Sequence, residues 1–424
     1  MKILSTVLKI KSHFLITLFC FAVVSTACAG PLPFAKPEDV GFSSTRLNRI
    51  DTILKADTSS GKLVGAVVVV ARKGKIAYFR SFGMRNKAVS EPLKTDAIFR
   101  IYSMTKPFIS VATMILHEEG KLFLSDPISK YLPEYTNMKL GIVEVDKITD
   151  DEILKTVVSY DSITIQDLLR HTSGMTYGVF GWSLIKTEYL KAGINRSDQT
   201  LEEMSKKLAK IPLVNEPGTF WEYSRSTDVL GRLVEVISGM SLDKYLDQKI
   251  FKPLKMADTG FYVKKKNLNR VAESSANQPV LINITKPPKM LNGGSGGVST
   301  AIDYLRFCQM LQNGGRLEGI RILSPKTIEY MTSDHLGSLG NRKDRSFLPG
   351  AGYGFGLGFA VRTKTGESTW PGTIGDYWWG GWAGTYFWID PKEEISVVYM
   401  MQDTSNRVHY RRLIRSLVYQ AVIE

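Results

Sequence analysis

Apolar positions change their period several times along the chain, and each change marks an element. Leu47, Ile50, Ile53 and Leu54 recur at helical spacing behind Ser43-Ser44, so the first element is a helix with a serine cap. Residues 64–71 are continuously apolar and rich in valine, Arg72-Lys73-Gly74-Lys75 is turn-forming, and residues 76–83 are largely apolar and aromatic again. That succession predicts a β-hairpin. Matching strands return only near the other end, over residues 354–362, 377–389 and 395–401, before a final helix over about 407–422.

Between them the pattern is mainly helix and loop, with helical stretches at 165–171, 229–237 and 301–311. The expected fold is α+β: an antiparallel sheet flanked by terminal helices, with a large, mainly helical inserted subdomain. The sheet subdomain takes about 38–106 and 341–424, and the helical subdomain about 107–340.

Residues 1–29 read as an export signal. Lys2, Lys9 and Lys11 form a basic start, residues 14–24 an apolar run too short to span a bilayer, and Ser25-Thr26-Ala27-Cys28-Ala29 a cleavage zone. Cleavage after Ala29 leaves residues 30–424 as one hydrolase-sized domain in a periplasmic or secreted location. Lipid anchoring at Cys28 is the rival reading, weakened by Ser25 where a large aliphatic residue is expected. No other long apolar run is present, so no integral membrane span is expected.

The net charge of +14 falls to +11 without the three signal lysines, and the excess is spread rather than gathered into a stripe. Solvated faces explain it better than a nucleic-acid surface. Of the three cysteines, Cys20 and Cys28 lie in the signal and Cys308 in an apolar helical pattern, which predicts a buried structural thiol. His13, His117, His171, His335 and His409 show no ligand spacing, so no metal or cofactor is expected. Nothing in the sequence sets the oligomeric state.

The candidate chemistry centres on Phe99-Arg100-Ile101-Tyr102-Ser103-Met104-Thr105-Lys106-Pro107-Phe108, where an extended segment gives way to an apolar helix. A helix opened by Ser103 carries Lys106 on the same face, because residues three or four apart are neighbours. Serine is a weak nucleophile that needs an adjacent base, and a desolvated lysine amine can serve. The helix N-terminus favours a developing oxyanion, and Pro107 suits a first turn. Ser59, Ser183 and Ser241 also begin Ser-x-x-Lys matches. Ser59 falls in a Ser-Gly turn, Ser241 reads as the cap of a helix over 242–249, and Ser183 shows no strand-to-helix change.

A serine acyl-transfer site also needs a proton acceptor and oxyanion donors. Tyr223 is the candidate acceptor, in the loop before the 229–237 helix; its phenol works as a base only near a cation, which Lys106 supplies. The segment fits equally a tyrosine whose hydroxyl satisfies the loop. Tyr135-Thr136-Asn137 is set aside as part of a surface turn. For the oxyanion, the glycines of Trp378-Trp379-Gly380-Gly381-Trp382 permit close backbone approach, offering the Trp382 N–H on the strand beside that of Ser103. A glycine bulge under aromatic packing is the plain alternative, and Lys364-Thr365-Gly366 reads as a polar loop.

Taken together, Ser103-Met104-Thr105-Lys106, Leu168-Leu169-Arg170-His171-Thr172-Ser173-Gly174, Pro217-Gly218 with Tyr223-Ser224, Gly293-Gly294-Ser295-Gly296-Gly297-Val298-Ser299-Thr300 and Trp379-Gly380-Gly381 resemble the serine β-lactamase/penicillin-binding-protein family. The likeness runs over about 37–424 and is nearest the class C β-lactamase-like esterase branch. It implies that Ser103 is acylated, that Lys106 and Tyr223 share its proton, and that the Ser103 and Trp382 N–H groups form the oxyanion hole. By themselves, the second motif is a helix end with Gly174 as its stop, and the fourth a flexible loop ending in a Ser299 or Thr300 cap.

Two departures bear on substrate. Arg225 stands where the family's β-lactamases usually carry Asn, and Trp379 where they carry Lys. An indole in that position favours apolar acyl esters, with Trp221, Trp378 and Trp382 as further lining; Arg225 remains able to meet a carboxylate. Trp379, Gly380, Gly381 and Arg225 are thus the candidate substrate-binding residues. The expectation is a serine hydrolase, esterase-like on short or apolar acyl esters, with a small-molecule ester or amide as substrate. The alternatives are a β-lactamase or D-alanyl-D-alanine carboxypeptidase, and a non-catalytic cell-wall-peptide binder.

Overall fold

The computed structural model describes residues 32–147, 149–275, 277–339 and 347–424. The export pattern, with Cys28, lies outside the described residues. Helix α1 (Ser44–Ser59) is capped by Ser43, whose Oγ accepts from the Arg46 N–H. Strands β1 (Gly65–Arg72) and β2 (Lys75–Asn86) are joined through Lys73 and Gly74, both at positive φ (50° and 73°), the turn whose twist matches a hairpin. Edge strand β3 (Glu91–Pro92) follows.

The next major element is helix α2 (Lys106–Glu118), buried continuously from Lys106 to Leu116. Helix α3 (Ser226–Ser238) packs on it, and helix α4 (Ala301–Gln312) begins at Thr300, whose Oγ1 accepts from the Asp303 N–H. The chain then returns to the sheet with β4 (Tyr353–Phe355), β5 (Ala360–Arg362), β6 (Tyr377–Gly380), β7 (Tyr386–Asp390) and β8 (Ile395–Met401), and ends in helix α5 (Arg407–Tyr419). The eight strands run in the order β4-β5-β6-β7-β8-β1-β2-β3. Val69 lies opposite Val398, so the sheet closes by pairing β1 with β8 from the far end of the chain.

An antiparallel sheet with one wet face alternates apolar and polar residues, but every residue of β1 and of β8 is buried. The cause is cover from two groups of helices: α1 packs on β2 and α5, and α4 packs on β1, β7 and β8. Continuous valine is what such a position requires.

Several expected elements come out differently. Residues 354–362 and 377–389 are each two strands, because glycines break the run: Gly358 (φ 101°) turns the first, and Gly381 and Gly384 (φ 102°) the second. The middle segment, expected to be mainly helix and loop, contains a β-hairpin, Lys139–Val145 paired with Glu152–Val158. Its strands are exposed and mix β-branched residues with Lys and Glu, so no clean alternation announces them; the Gly141 N–H anchors them to the Leu213 carbonyl at 2.9 Å. Ser183 caps the helix Leu184–Lys191 by accepting from the Lys186 N–H. Tyr135, expected in a surface turn, is buried on Ser205.

At the far side of β6, Asp376 is fully buried between two guanidiniums, accepting from Arg362 Nε at 2.6 Å and meeting Arg415 Nη2 at 2.5 Å. Tyr353 donates to the same carboxylate at 3.1 Å. Removing one partner of a buried charge cluster costs about 3–5 kcal/mol, because the others lose their counter-charge. Asp376→Ala is therefore expected to lower stability by that order in urea unfolding, and a loss below about 1 kcal/mol would show that the cluster is not what holds α5 to the sheet.

Candidate active site

The strand Phe99–Arg100 pairs with Val298–Ser299 and leads into a tight 3-10 turn, Tyr102–Thr105, on which α2 is built. Tyr102 has φ 45°, a conformation a bulky residue holds only when its surroundings over-determine it. They do so here. Its hydroxyl accepts from the Ile282 N–H at 3.1 Å, its carbonyl accepts from Thr105 Oγ1 at 2.6 Å, and its ring meets Trp382 edge-on at 5.4 Å. The half-buried Ser103 is thereby fixed at the floor of a cleft of about 580 Å³.

Lys106, one turn later, is 2% exposed. Its Nζ donates to the Gly294 carbonyl at 2.7 Å and to the Tyr177 hydroxyl at 3.3 Å, and reaches Ser103 Oγ at 3.5 Å. It also stands over the faces of Tyr223 and Tyr177, at 4.6 and 5.2 Å from their centroids. Burial pushes this amine down to about 7, with Asp228 opposing the fall and Arg225 adding to it.

Tyr223 lies just before α3, hydrogen-bonded to Ser103 and receiving Trp379 Nε1 at 3.4 Å. Burial, reinforced by neighbouring Tyr177, holds its phenol well above 10, so it is protonated at neutral pH. Tyr177 stacks on it at 5.3 Å and is itself pushed up to about 12 by burial. Sequence reasoning missed Tyr177; its nearest signal was the Ser173-Gly174 turn just upstream.

Asp228 was missed as well. Its Oδ1 accepts from the Gly294 N–H at 2.9 Å and its Oδ2 pairs with Arg225 Nη1 at 3.2 Å. The Gly294 peptides thus join Asp228 on one side to Lys106 on the other. A Cβ on Gly294 would fall 2.7 Å from Asp228 Oδ2 and 3.1 Å from the Tyr177 hydroxyl. The glycine run expected to be a flexible loop is in fact a packed shelf, and glycine is required for the close approach.

His171 has φ 60°, contacts Ser224 Oγ through Nδ1 at 3.1 Å and packs on the Tyr223 ring at 5.0 Å. Burial keeps its pKa well below 6.5, so it supports the Tyr223 segment as a neutral ring.

On the opposite side, Trp379 lies in β6, Gly380 ends it and Gly381 leads into a turn through Thr385; Trp382 sits in this turn rather than on the strand. The Gly381 N–H is occupied by the Thr385 carbonyl at 2.8 Å, and Thr385 Oγ1 donates to the Ile101 carbonyl at 3.2 Å. A Cβ on Gly381 would come within 2.4 Å of the same carbonyl. The segments bearing the Ser103 and Trp382 amides are thereby held together. Two expected contributors lie elsewhere. Trp221 is fully buried, stacked behind Tyr223 at 6.2 Å. Arg225 is 4% exposed, paired with Asp228 and laid over Tyr177 at 4.5 Å, which leaves it out of the cleft lining. Trp378, Trp379 and Trp382 do line the cleft.

Such an arrangement can activate a hydroxyl and stabilise charge on an acyl oxygen. Among the described residues no group of His, Cys, Asp or Glu could hold a metal, and no helix is long and apolar enough to cross a membrane.

The chain belongs to the Beta-lactamase family, whose profile matches residues 50–419. It is 34% identical over 370 residues to Protein Rv1367c of Mycobacterium tuberculosis, covering 81% of this chain and 86% of that protein. Esterase EstB of Burkholderia gladioli is 34% identical over 215 residues, 50% of this chain and 51% of its own. Among solved structures, EstCE1, a hydrolase with promiscuous acyltransferase activity, superposes with TM-score 0.73 at 27% identity over 88% of this chain and 99% of its own. The protein is a hydrolase of the serine β-lactamase fold.

Because the Lys106 amine changes charge near neutrality, any reaction drawing on its lone pair speeds up as pH rises through about 7 and then levels off. Labelling by a fluorophosphonate is expected to follow that curve. The Asp228 carboxylate favours the charged amine, so Asp228→Asn should move the limb to lower pH; a limb that stays or rises would sink the assignment of that field to Lys106.

Proposed function

We propose that the protein is a serine ester hydrolase working through an acyl-enzyme at Ser103. The observation that carries this reading is a half-buried serine between an amine held near pH 7 and a protonated phenol, at the floor of a cleft walled by indoles. Ser103 Oγ attacks the ester carbonyl, and its proton passes to Lys106 Nζ, directly or through the Tyr223 hydroxyl. Charge on the carbonyl oxygen is met by the Ser103 and Trp382 N–H groups. Tyr223 gives its proton to the departing alkoxide and recovers one from Lys106, after which water attacks the acyl-enzyme by the reverse route. Losing one oxyanion donor of this kind costs about 3 kcal/mol of barrier.

The substrate reading rests on Trp379, whose indole fills the wall beside Tyr223 where a cation would otherwise meet a β-lactam carboxylate. The esterase named among the relatives and the hydrolase among the structural neighbours support the same choice. An alcohol in place of water as acyl acceptor is a second reading, favoured by the indole-lined cleft and by the acyltransferase activity ascribed to EstCE1. The N-terminal basic and apolar pattern supports a periplasmic or secreted enzyme from which residues 1–29 are removed.

A short-chain p-nitrophenyl ester and a chromogenic cephalosporin, each offered to wild type and Ser103→Ala, test the proposal. Ester turnover is expected to exceed cephalosporin turnover and to fall by about three orders of magnitude or more in the variant, and intact mass should show an acyl adduct on the wild type that Ser103→Ala lacks. Comparable cephalosporin turnover would overturn the argument from Trp379. Ester turnover surviving in Ser103→Ala would overturn the mechanism.

A further inference from the structure

A second cleft, of about 530 Å³, shares no lining residue with the catalytic one. One wall is the helix Leu242–Leu246 and the single π turn that continues it, Asp247–Phe251, closed by the Lys252 N–H on the Asp247 carbonyl at 2.8 Å. Such turns are rare and are found frequently at functional sites. The facing wall is the segment 256–264. Lys255, where the chain passes between the walls, has φ 56°, a conformation a lysine holds only when its surroundings over-determine it. The cleft also backs onto the strand that carries the nucleophile. Ile98 lines it and immediately precedes Phe99–Arg100, and Gly260 exchanges hydrogen bonds with Val298, the partner of Arg100, at 3.1 and 2.8 Å.

Floor and rim differ in chemistry. Ile98, Phe251, Met256, Phe261 and Val263 are buried and apolar, whereas Lys244, Lys252, Lys255 and Lys264 are exposed. The cleft's carboxylates are engaged elsewhere: Asp247 takes Lys252 at 2.6 Å, Asp258 takes Arg270 at 2.7 Å, and Asp243 adds to the burial that pushes the Glu235 carboxyl up. Lys255 meets Glu318 at 3.3 Å. Among the described residues Lys244 and Lys264 meet no carboxylate. An apolar chain laid on this floor leaves water, which stabilises by about 25 cal/mol for each Å² buried. A charged head left at the hydrated rim keeps its attraction to the lysines without the desolvation that burying an ion entails.

We infer that this cleft is a second binding site, taking a small amphiphilic anion whose apolar chain lies on the Phe251 and Phe261 floor and whose carboxylate or phosphate head meets Lys244 and Lys264. The site goes beyond the ester-hydrolase reading and does not depend on it.

Octanoate and octyl phosphate, each beside octan-1-ol, are titrated calorimetrically into Ser103→Ala, and into wild type labelled with a fluorophosphonate so that the catalytic cleft is filled. At least one anion is expected to bind more tightly than the alcohol, and the tighter of the two identifies the head group. Lys244→Gln with Lys264→Gln should weaken that anion by about three- to tenfold, the factor of two exposed charge contacts, and high salt should do the same. Ala257→Trp, an exposed lining position, fills the cleft and should abolish binding of anion and alcohol alike. Thermal melts like that of the parent show that these surface substitutions leave the fold intact. Anions no tighter than octan-1-ol, or Kd values unmoved by the lysine pair and by Ala257→Trp, would overturn the site. Failure of the fluorophosphonate to label wild type would bear on the hydrolase reading instead, and the Ser103→Ala titrations would still decide this one.

Discussion

Everything at this site depends on the withdrawal of one amine from water. Lys106 is placed on a helix apolar on all sides, so desolvation is unavoidable, and desolvation acts in opposite directions on bases and acids. The same aromatic enclosure that makes the ammonium unfavourable makes a phenolate unfavourable. The amine is driven towards neutrality while Tyr223 and Tyr177 retain their protons. In the proposed mechanism a serine proton therefore has an acceptor on one side and a relay on the other, and among the described residues no carboxylate bonds the hydroxyl. The Asp228–Arg225 pair sets the balance from behind, one charge raising the amine's proton affinity and the other lowering it.

That withdrawal requires rigidity, because a mobile amine would find water. The Gly294 carbonyl fixes Nζ from one side, and two tyrosine faces fix it from the others. Both tyrosines come from the middle of the chain, whereas Trp379 and Trp382 come from the sheet. The site is thus a seam between a sheet closed by both chain ends and the helices inserted between them. Serine sits where α2 crosses it.

The legible part of this arrangement was the part that repeats. The valine run of β1 and the apolar surface of α2 have periods that follow from their cover, and Ser103, Lys106 and Trp379 could be placed because strand, turn and helix signals bracket them. What escaped was contact at long range. Tyr177 and Asp228 gain their positions from the Gly294 shelf, and no spacing along the chain records that a glycine carbonyl faces Lys106. Arg225 illustrates the converse: three residues before Asp228, it pairs within its own helix start, so its charge is spent there and does not reach the cleft. The exposed hairpin at 139–158 lacks a buried face, hence lacks the alternation by which strands are read.

The strained turn at Tyr102 shows how the two amides proposed as oxyanion donors come to share a frame. Ile101, immediately before it, donates its N–H to the Gly297 carbonyl at 3.0 Å and accepts Thr385 Oγ1 at 3.2 Å. Gln402, just after β8, bonds the Arg100 peptide on both sides, receiving its N–H at 3.3 Å and donating to its carbonyl at 3.2 Å. The backbone entering Ser103 is therefore tied to the glycine shelf, to the Trp382 turn and to the sheet at once. A conformation unfavourable by about 1–3 kcal/mol persists because relaxing it would break bonds to all of them. Positioning of the two amides is a property of this shared backbone rather than of either residue's side chain.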